Sequence, residues 1–175
     1  MDIKLENILL DCFFNVKLAD LGTVVDVSES EGYTNQRRGT PHYMAPEVLN
    51  KKPAEMIDGR LSDIYSLGVC LHLMLTGEFP DLKDFSDEFS IETESSGEII
   101  NHKKYDKGTI QFLSRSAKDL LSEMLQEDAS YRISLEDIAS HPWLSDCDFS
   151  DMQELVYLEM KARSDHINNT NNEDF

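Results

Sequence analysis

The sequence predicts an α+β fold that is mainly α-helical, with one short β-hairpin near its start. Two apolar runs, Ile8-Leu9-Leu10 and Val16-Lys17-Leu18-Ala19, flank the polar stretch from Asp11 to Asn15. That is the pattern of two strands joined by a turn. After them, apolar residues recur at helical spacing instead of alternating. The composition agrees: 175 residues, 40% hydrophobic and 9% aromatic, suffice for one ordinary domain with an apolar core.

Each later element has its own signal. Residues 28–39 are polar and without periodicity, and read as a mobile loop. Ala45 to Lys52 reads as a single helical turn stopped by Pro53. Arg60-Leu61-Ser62-Asp63 opens a longer helix, with Ser62 as the expected N-cap. Apolar residues from Ile64 to Leu75 surround that helix instead of forming one stripe, which places it inside a core. Gly77 ends it and Pro80 prevents its resumption. Residues 81–107 are acidic and weakly patterned, with short helical pieces at most. An amphipathic helix follows over Ser116 to Gln126, with Leu120, Leu121 and Met124 on its apolar side. Ser134, with Asp137 three residues on, opens another that stops before His141-Pro142. A last helix covers Asp151 to Ala162. These readings divide the chain into a main unit over 1–145, a helical extension over 146–163, and a disordered Asn-rich tail over 164–175.

Charge and cysteine usage exclude several function classes. Asp and Glu number 34 against 16 Lys and Arg, a net charge of -18. A nucleic acid would be repelled by most of such a surface. Cys12, Cys70 and Cys147 are far apart and form no C-x-x-C pair, which points to an intracellular, cytoplasmic protein without a disulfide framework. The first residues are too charged for a signal peptide, and no run reaches transmembrane length, so no membrane insertion is expected.

The chemistry gathers at the open end of the hairpin. Asp2, Lys4 and Asn7 precede its first strand and Asp20 follows its second, so the turn can bring all four together. Two carboxylates, an amide oxygen and an ammonium suit a Mg²⁺-phosphate site, because magnesium takes hard oxygen ligands and few protein groups. A carboxylate not used on metal can orient a hydroxyl and accept its proton.

These residues resemble the protein kinase family. Asp2-Ile3-Lys4-Leu5-Glu6-Asn7 is similar to its catalytic loop from the aspartate onward, and Asp20-Leu21-Gly22 to its metal-binding D-F-G. Gly39-Thr40-Pro41-His42-Tyr43-Met44-Ala45-Pro46-Glu47 resembles the end of an activation segment. Ser62-Asp63-Ile64-Tyr65-Ser66-Leu67-Gly68-Val69 looks like the start of the central helix of the large, C-terminal lobe. Arg132-Ile133-Ser134 and His141-Pro142-Trp143-Leu144 look like that lobe's closing segment. The match runs over about residues 2 to 145 in family order. Any one piece is a weak signal; five in order are specific.

The resemblance implies a serine/threonine kinase that transfers the ATP γ-phosphate to protein hydroxyls with Mg²⁺. It casts Asp2 as catalytic base, Lys4 as the charge neutralising the transferred group, and Thr40 as their brace. Asn7 and Asp20 would hold magnesium. Leu9 would lie beneath the adenine, although hairpin core is an equal reading for it. Glu47 and Arg132 would form a buried ion pair, and Asp63 would accept backbone N–H groups of the catalytic loop. Packing suffices for His141 and Trp143, and His42 and His72 receive no catalytic role.

The sequence also departs from the family. The catalytic-loop His-Arg, the glycine-rich loop and the V-A-I-K lysine are absent, and Leu21 replaces Phe. The expectation is a chain that is inactive alone, with bare apolar surface where the N-terminal lobe or a partner protein would sit. Gln36 stands where many relatives carry a phosphorylated threonine, leaving Ser28, Ser30, Tyr33 and Thr34 as neighbouring hydroxyls. Three readings follow: part of a longer active kinase, a non-catalytic binding module that sequesters substrates or pairs with a full kinase, or a decayed fragment.

Overall fold

The computed structural model describes residues 1–26, 29–81, 110, 112–145 and 149–173. The expectations for 81–107, and for Ser28 and Cys147, fall on residues outside that set, apart from Asp81.

The hairpin forms as its two apolar runs require. Strands β1 (Ile8–Leu10) and β2 (Val16–Leu18) are antiparallel, pairing Ile8 with Leu18, Leu9 with Lys17 and Leu10 with Val16. Asp11 makes the turn: its Oδ1 accepts the N–H groups of Phe13 at 2.9 Å and Asn15 at 3.0 Å.

Residues 29–39 are not all loop. Strand β3 (Tyr33–Thr34) pairs antiparallel with β4 (Ile57–Asp58). A two-residue ladder is too short to produce any periodicity, so the sequence offers no strand signal there. Glycine suits its entrance: at φ +100° residue 32 takes a conformation that L side chains rarely adopt.

Helix α1 (Pro46–Leu49) is the single turn expected, with proline at its start. Helix α2 (Gly59–Thr76) is the centre of the molecule. It begins earlier than Ser62 because the chain leaves β4 directly at Asp58. The Asp58 carboxylate caps the helix, accepting from the N–H groups of Arg60 at 2.9 Å and Leu61 at 3.4 Å. Ser62 therefore lies inside the first turn, its hydroxyl donating to the Asp58 carbonyl at 2.9 Å. Gly77, at φ +78°, closes the other end by donating its N–H to the Leu73 carbonyl at 2.8 Å.

Helix α3 (Arg115–Met124) lays its apolar face on α2, with Ser114 as cap. Leu120, Leu121 and Met124 are buried there. Each such side chain taken from water contributes about 1.5–3 kcal/mol. Helix α4 (Leu135–Ser140) starts with the expected box: Ser134 Oγ accepts the Asp137 N–H at 3.1 Å and donates to Asp137 Oδ2 at 2.7 Å. The short helix α5 (Pro142–Ser145) follows. One side of α2 packs with Tyr43, Val48, Leu121 and Leu125, the other with Leu120, Met124 and Ile138.

Helix α6 (Phe149–Glu173) runs for 25 residues, which corrects the expectation of a disordered tail over 164–173. After Pro142 the sequence contains neither glycine nor proline, and asparagine weakens a helix without stopping it. Tyr157 rests on Phe14 of the hairpin turn, ring centroids 5.6 Å apart.

Candidate active site

Asp2, Lys4 and Thr40 form one hydrogen-bonded group, although Thr40 is far from the other two in the chain. Lys4 Nζ donates to Thr40 Oγ1 at 3.0 Å, and Thr40 Oγ1 donates to Asp2 Oδ1 at 2.8 Å. The Lys4 ammonium also stands 3.3 Å from Asp2 Oδ2. Burial acts to raise the Asp2 carboxyl. The hydrogen bond from Thr40 and the Lys4 charge outweigh it and hold the group below the ordinary carboxylate value. Asp2 is thus an anion whose two oxygens are both engaged.

Local backbone geometry sets this up. Residues Leu5–Asn7 make a 3₁₀ turn, closed by the Asn7 N–H on the Lys4 carbonyl at 3.0 Å. Asn7 is buried, and its Nδ2 donates to the Asp2 carbonyl at 3.0 Å. That fixes the amide with its carbonyl oxygen as the remaining acceptor. Gly39 sits at φ +123°, a conformation L side chains rarely adopt, and a Cβ there would crowd Met44 Cγ at 3.3 Å while lying in ordinary contact, 3.9 Å, with Asp2 Oδ1.

Asp20 reaches the same end of the hairpin through the backbone. The Ala19 N–H donates to the Asn7 carbonyl at 2.8 Å, so Asp20 is one residue from a direct tie to Asn7. It adopts the left-handed conformation (φ 53°, ψ 66°), and among the described residues its exposed carboxylate accepts one long bond, 3.4 Å, from the Gly22 N–H. Among the described residues no three or more His, Cys, Asp or Glu group as a metal site. A magnesium held by one carboxylate, one amide oxygen and substrate phosphates needs no such cluster.

Glu47 and Arg132 meet across 85 positions. Arg132 Nη1 donates to Glu47 Oε1 at 2.7 Å and Nη2 to Oε2 at 3.0 Å, the two-pronged geometry of an arginine fork. The guanidinium also donates to the carbonyls of Leu61 and Gln126 and lies over the Tyr65 ring. Asp63 Oδ1 stands 3.6 Å from the Met1 nitrogen, where the catalytic segment starts. Burial raises its carboxyl, and the Met1 nitrogen partly offsets that.

Two expectations need adjusting. Leu9 is 50% exposed, so of its two readings hairpin core does not hold. Thr34 is 5% exposed and its Oγ1 accepts the Gln36 N–H at 3.1 Å, which removes it from the accessible hydroxyls of that segment. Tyr33 is 47% exposed.

The protein kinase domain family model matches residues 1–144. This chain belongs to the protein kinase family. The chain is 36% identical over 148 residues to the probable serine/threonine-protein kinase KCC4 of Saccharomyces cerevisiae, a match covering 82% of this chain and 13% of the relative. It is 37% identical over 150 residues to that organism's serine/threonine-protein kinase CHK1, covering 82% and 27% respectively. Mouse serine/threonine-protein kinase 33 is 32% identical over 189 residues, covering 98% of this chain and 37% of the relative. The kinase chain therefore spans 13% to 37% of the length of these relatives. Its class is that of serine/threonine protein kinases.

Around these residues lie contacts that sequence reasoning missed. Tyr43 donates its hydroxyl to Glu6 Oε2 at 3.2 Å, tying the Gly39–Glu47 stretch to the segment before the hairpin. Burial and the neighbouring Glu6 carboxylate raise the Tyr43 phenol. Arg38 Nη1 donates to the Gly22 carbonyl at 3.4 Å. No spacing in the sequence announces either contact, because both join residues that only tertiary packing brings together.

Proposed function

We propose that this chain supplies the large-lobe half of a serine/threonine phosphotransferase and works as part of a longer kinase. The observation that carries this is the group of Asp2, Lys4 and Thr40, held as an anion beside a cation at the open end of the hairpin. Asp2 orients the substrate hydroxyl and accepts its proton, as an ionised carboxylate at neutral pH can. Lys4 sets a positive charge beside the transferred group, and Thr40 holds both side chains to one geometry. The Asn7 carbonyl oxygen and the exposed Asp20 carboxylate are the hard donors that suit Mg²⁺. Bound Mg-ATP supplies the phosphoryl group and neutralises its charge. Asp63 holds the start of the catalytic segment, and Leu9 offers an apolar contact to the nucleotide base.

Phosphotransfer requires a covering segment or partner over the hairpin. Leu9, Leu10, Val16, Leu18 and Leu21 are all between 48% and 68% exposed, and an apolar patch of this kind marks a contact surface. The same observation favours a second reading, in which the chain is a non-catalytic module that binds another kinase through this face.

Phosphate transfer from Mg-ATP to a protein substrate tests both. A chain joined to an upstream small lobe is expected to be active, and D2N and D20A each to lower its rate by about 10²-fold or more. Full activity in D2N overturns the catalytic role. The 175-residue chain by itself is expected to transfer nothing measurable; incorporation that vanishes in D20A would overturn the need for a cover.

A further inference from the structure

The chain as a whole repels anions, yet one place beside the candidate active site is built to attract them. Arg37 and Arg38 immediately precede the Gly39-Thr40 pair and are both exposed. Arg38 lines the same crevice as Asp2, Gly39 and Thr40. Gly39 brings this stretch against the Asp2 carboxylate. Among the described residues neither arginine makes an ion pair; Arg38 donates one long bond to a neutral carbonyl, that of Gly22. Lys4, the other nearby cation, is committed to Asp2 and Thr40.

We propose that Arg37 and Arg38 are specificity-determining residues that select protein substrates carrying an anionic side chain, a carboxylate or phosphate ester, close to the accepting hydroxyl. The inference rests on the phosphotransfer reading only for the approach of the substrate to Asp2. A net charge of -18 does not oppose it, because charges more than about 8 Å away are screened at physiological salt and the local pair decides. Guanidinium groups are well matched to such anions. They remain charged at every working pH and present several N–H donors in a plane that fits carboxylate and phosphate oxygens. Two carboxylates share the crevice with Arg38, and both are engaged: Asp2 by Thr40 and Lys4, and Asp63 by the Met1 nitrogen 3.6 Å from its Oδ1.

The test is equilibrium binding of fluorescein-labelled serine peptides to the 175-residue chain. The peptides share one sequence, with glutamine, glutamate, phosphoserine or lysine beside the serine. The expected order places phosphoserine and glutamate above glutamine by about fivefold or more, with lysine last. The preference should fade towards about 1 M salt, where screening acts within about 3 Å. Phosphoserine far above glutamate would identify a phosphorylated substrate as the source of the anion; near equality would identify an acidic one.

The double variant R37E/R38E, with both side chains exposed, is expected to invert the order and favour lysine. Inversion cannot arise from misfolding, which would weaken every peptide alike. An unchanged order in R37E/R38E, or no preference in the original chain, overturns the proposal. So does a variant that loses ATP binding while its peptide order is untouched, since the arginines would then serve the nucleotide. Anion selection without phosphotransfer in the longer chain would instead remove the catalytic reading and leave this one standing.

Discussion

At the residue scale, the Thr40 hydroxyl has two roles, accepting from Lys4 and donating to Asp2. Removing it in T40A frees one Asp2 oxygen and loosens Lys4. The Asp2 carboxyl should then rise towards its ordinary value, because the Thr40 hydroxyl is foremost among the groups lowering it, although the backbone N–H of position 40 remains. In the proposed longer kinase the acidic limb of the pH–rate profile should shift to higher pH in T40A and return in T40S. A profile that scales down without moving would show that Thr40 does not act through Asp2. The Glu47–Arg132 pair belongs to the same scale. Removing one partner leaves the other charge buried, so E47A should destabilise the fold by about 3–5 kcal/mol, measured by urea unfolding. Asp58 offers a smaller effect. D58A removes the cap of α2 and should cost about 1 kcal/mol. Burial opposes its lowered carboxyl, but the Arg60 side chain and the N–H groups of Arg60 and Leu61 prevail. The stability from a depressed carboxylate is present above its unfolded value and lost as pH falls through its folded one. D58A should therefore flatten the acid limb of the stability profile.

At the element scale, the contact between α2 and α3 depends on Gly68. A Cβ there would lie 3.0 Å from Met124 Cβ and 3.1 Å from Leu125 Cδ2. Met124 Cβ is fixed to the α3 backbone and the residue is buried, so it has little room to give. In a helix interior alanine gains about 1 kcal/mol over glycine, whereas overpacking a tight core costs about 1–3 kcal/mol. G68A is expected to lower the unfolding midpoint. A raised midpoint would mean that α3 can slide along α2. Helix α6 has a different character, with Leu155, Leu158 and Ile167 all more than half exposed. Its described anchor is the Tyr157–Phe14 contact.

For the whole molecule, the apolar surface on the hairpin side is expected to promote association of the isolated chain. A second, mostly apolar groove of about 540 Å³ opens between Ile3, Leu61, Ile64, Leu67 and Leu135, with Asp58, Arg60, Asp63 and Glu136 also on its walls. Surfaces of this kind associate unless covered. L9K/L18K changes two exposed side chains and should reduce light scattering by the isolated chain while leaving its stability within about 0.5 kcal/mol of the original. A large loss of stability would show that the hairpin face packs within the chain. Among the described residues no helix is long and apolar enough to cross a membrane.

Much of this protein was legible in its residues. The hairpin, the glycine stop at Gly77 and the Ser134 box follow from local chemistry, because a turn or a cap involves residues only a few positions apart. The order of Asp2, Asn7, Asp20, Thr40, Glu47 and Arg132 sufficed for the family. Tertiary structure decided what depends on distant partners. It paired Tyr33–Thr34 with Ile57–Asp58, buried Thr34, exposed Leu9 and set Arg38 in one crevice with Asp2. The physical reason is common to all four. Burial and pairing across tens of residues are fixed by which surfaces meet, and neither period nor propensity encodes that meeting locally.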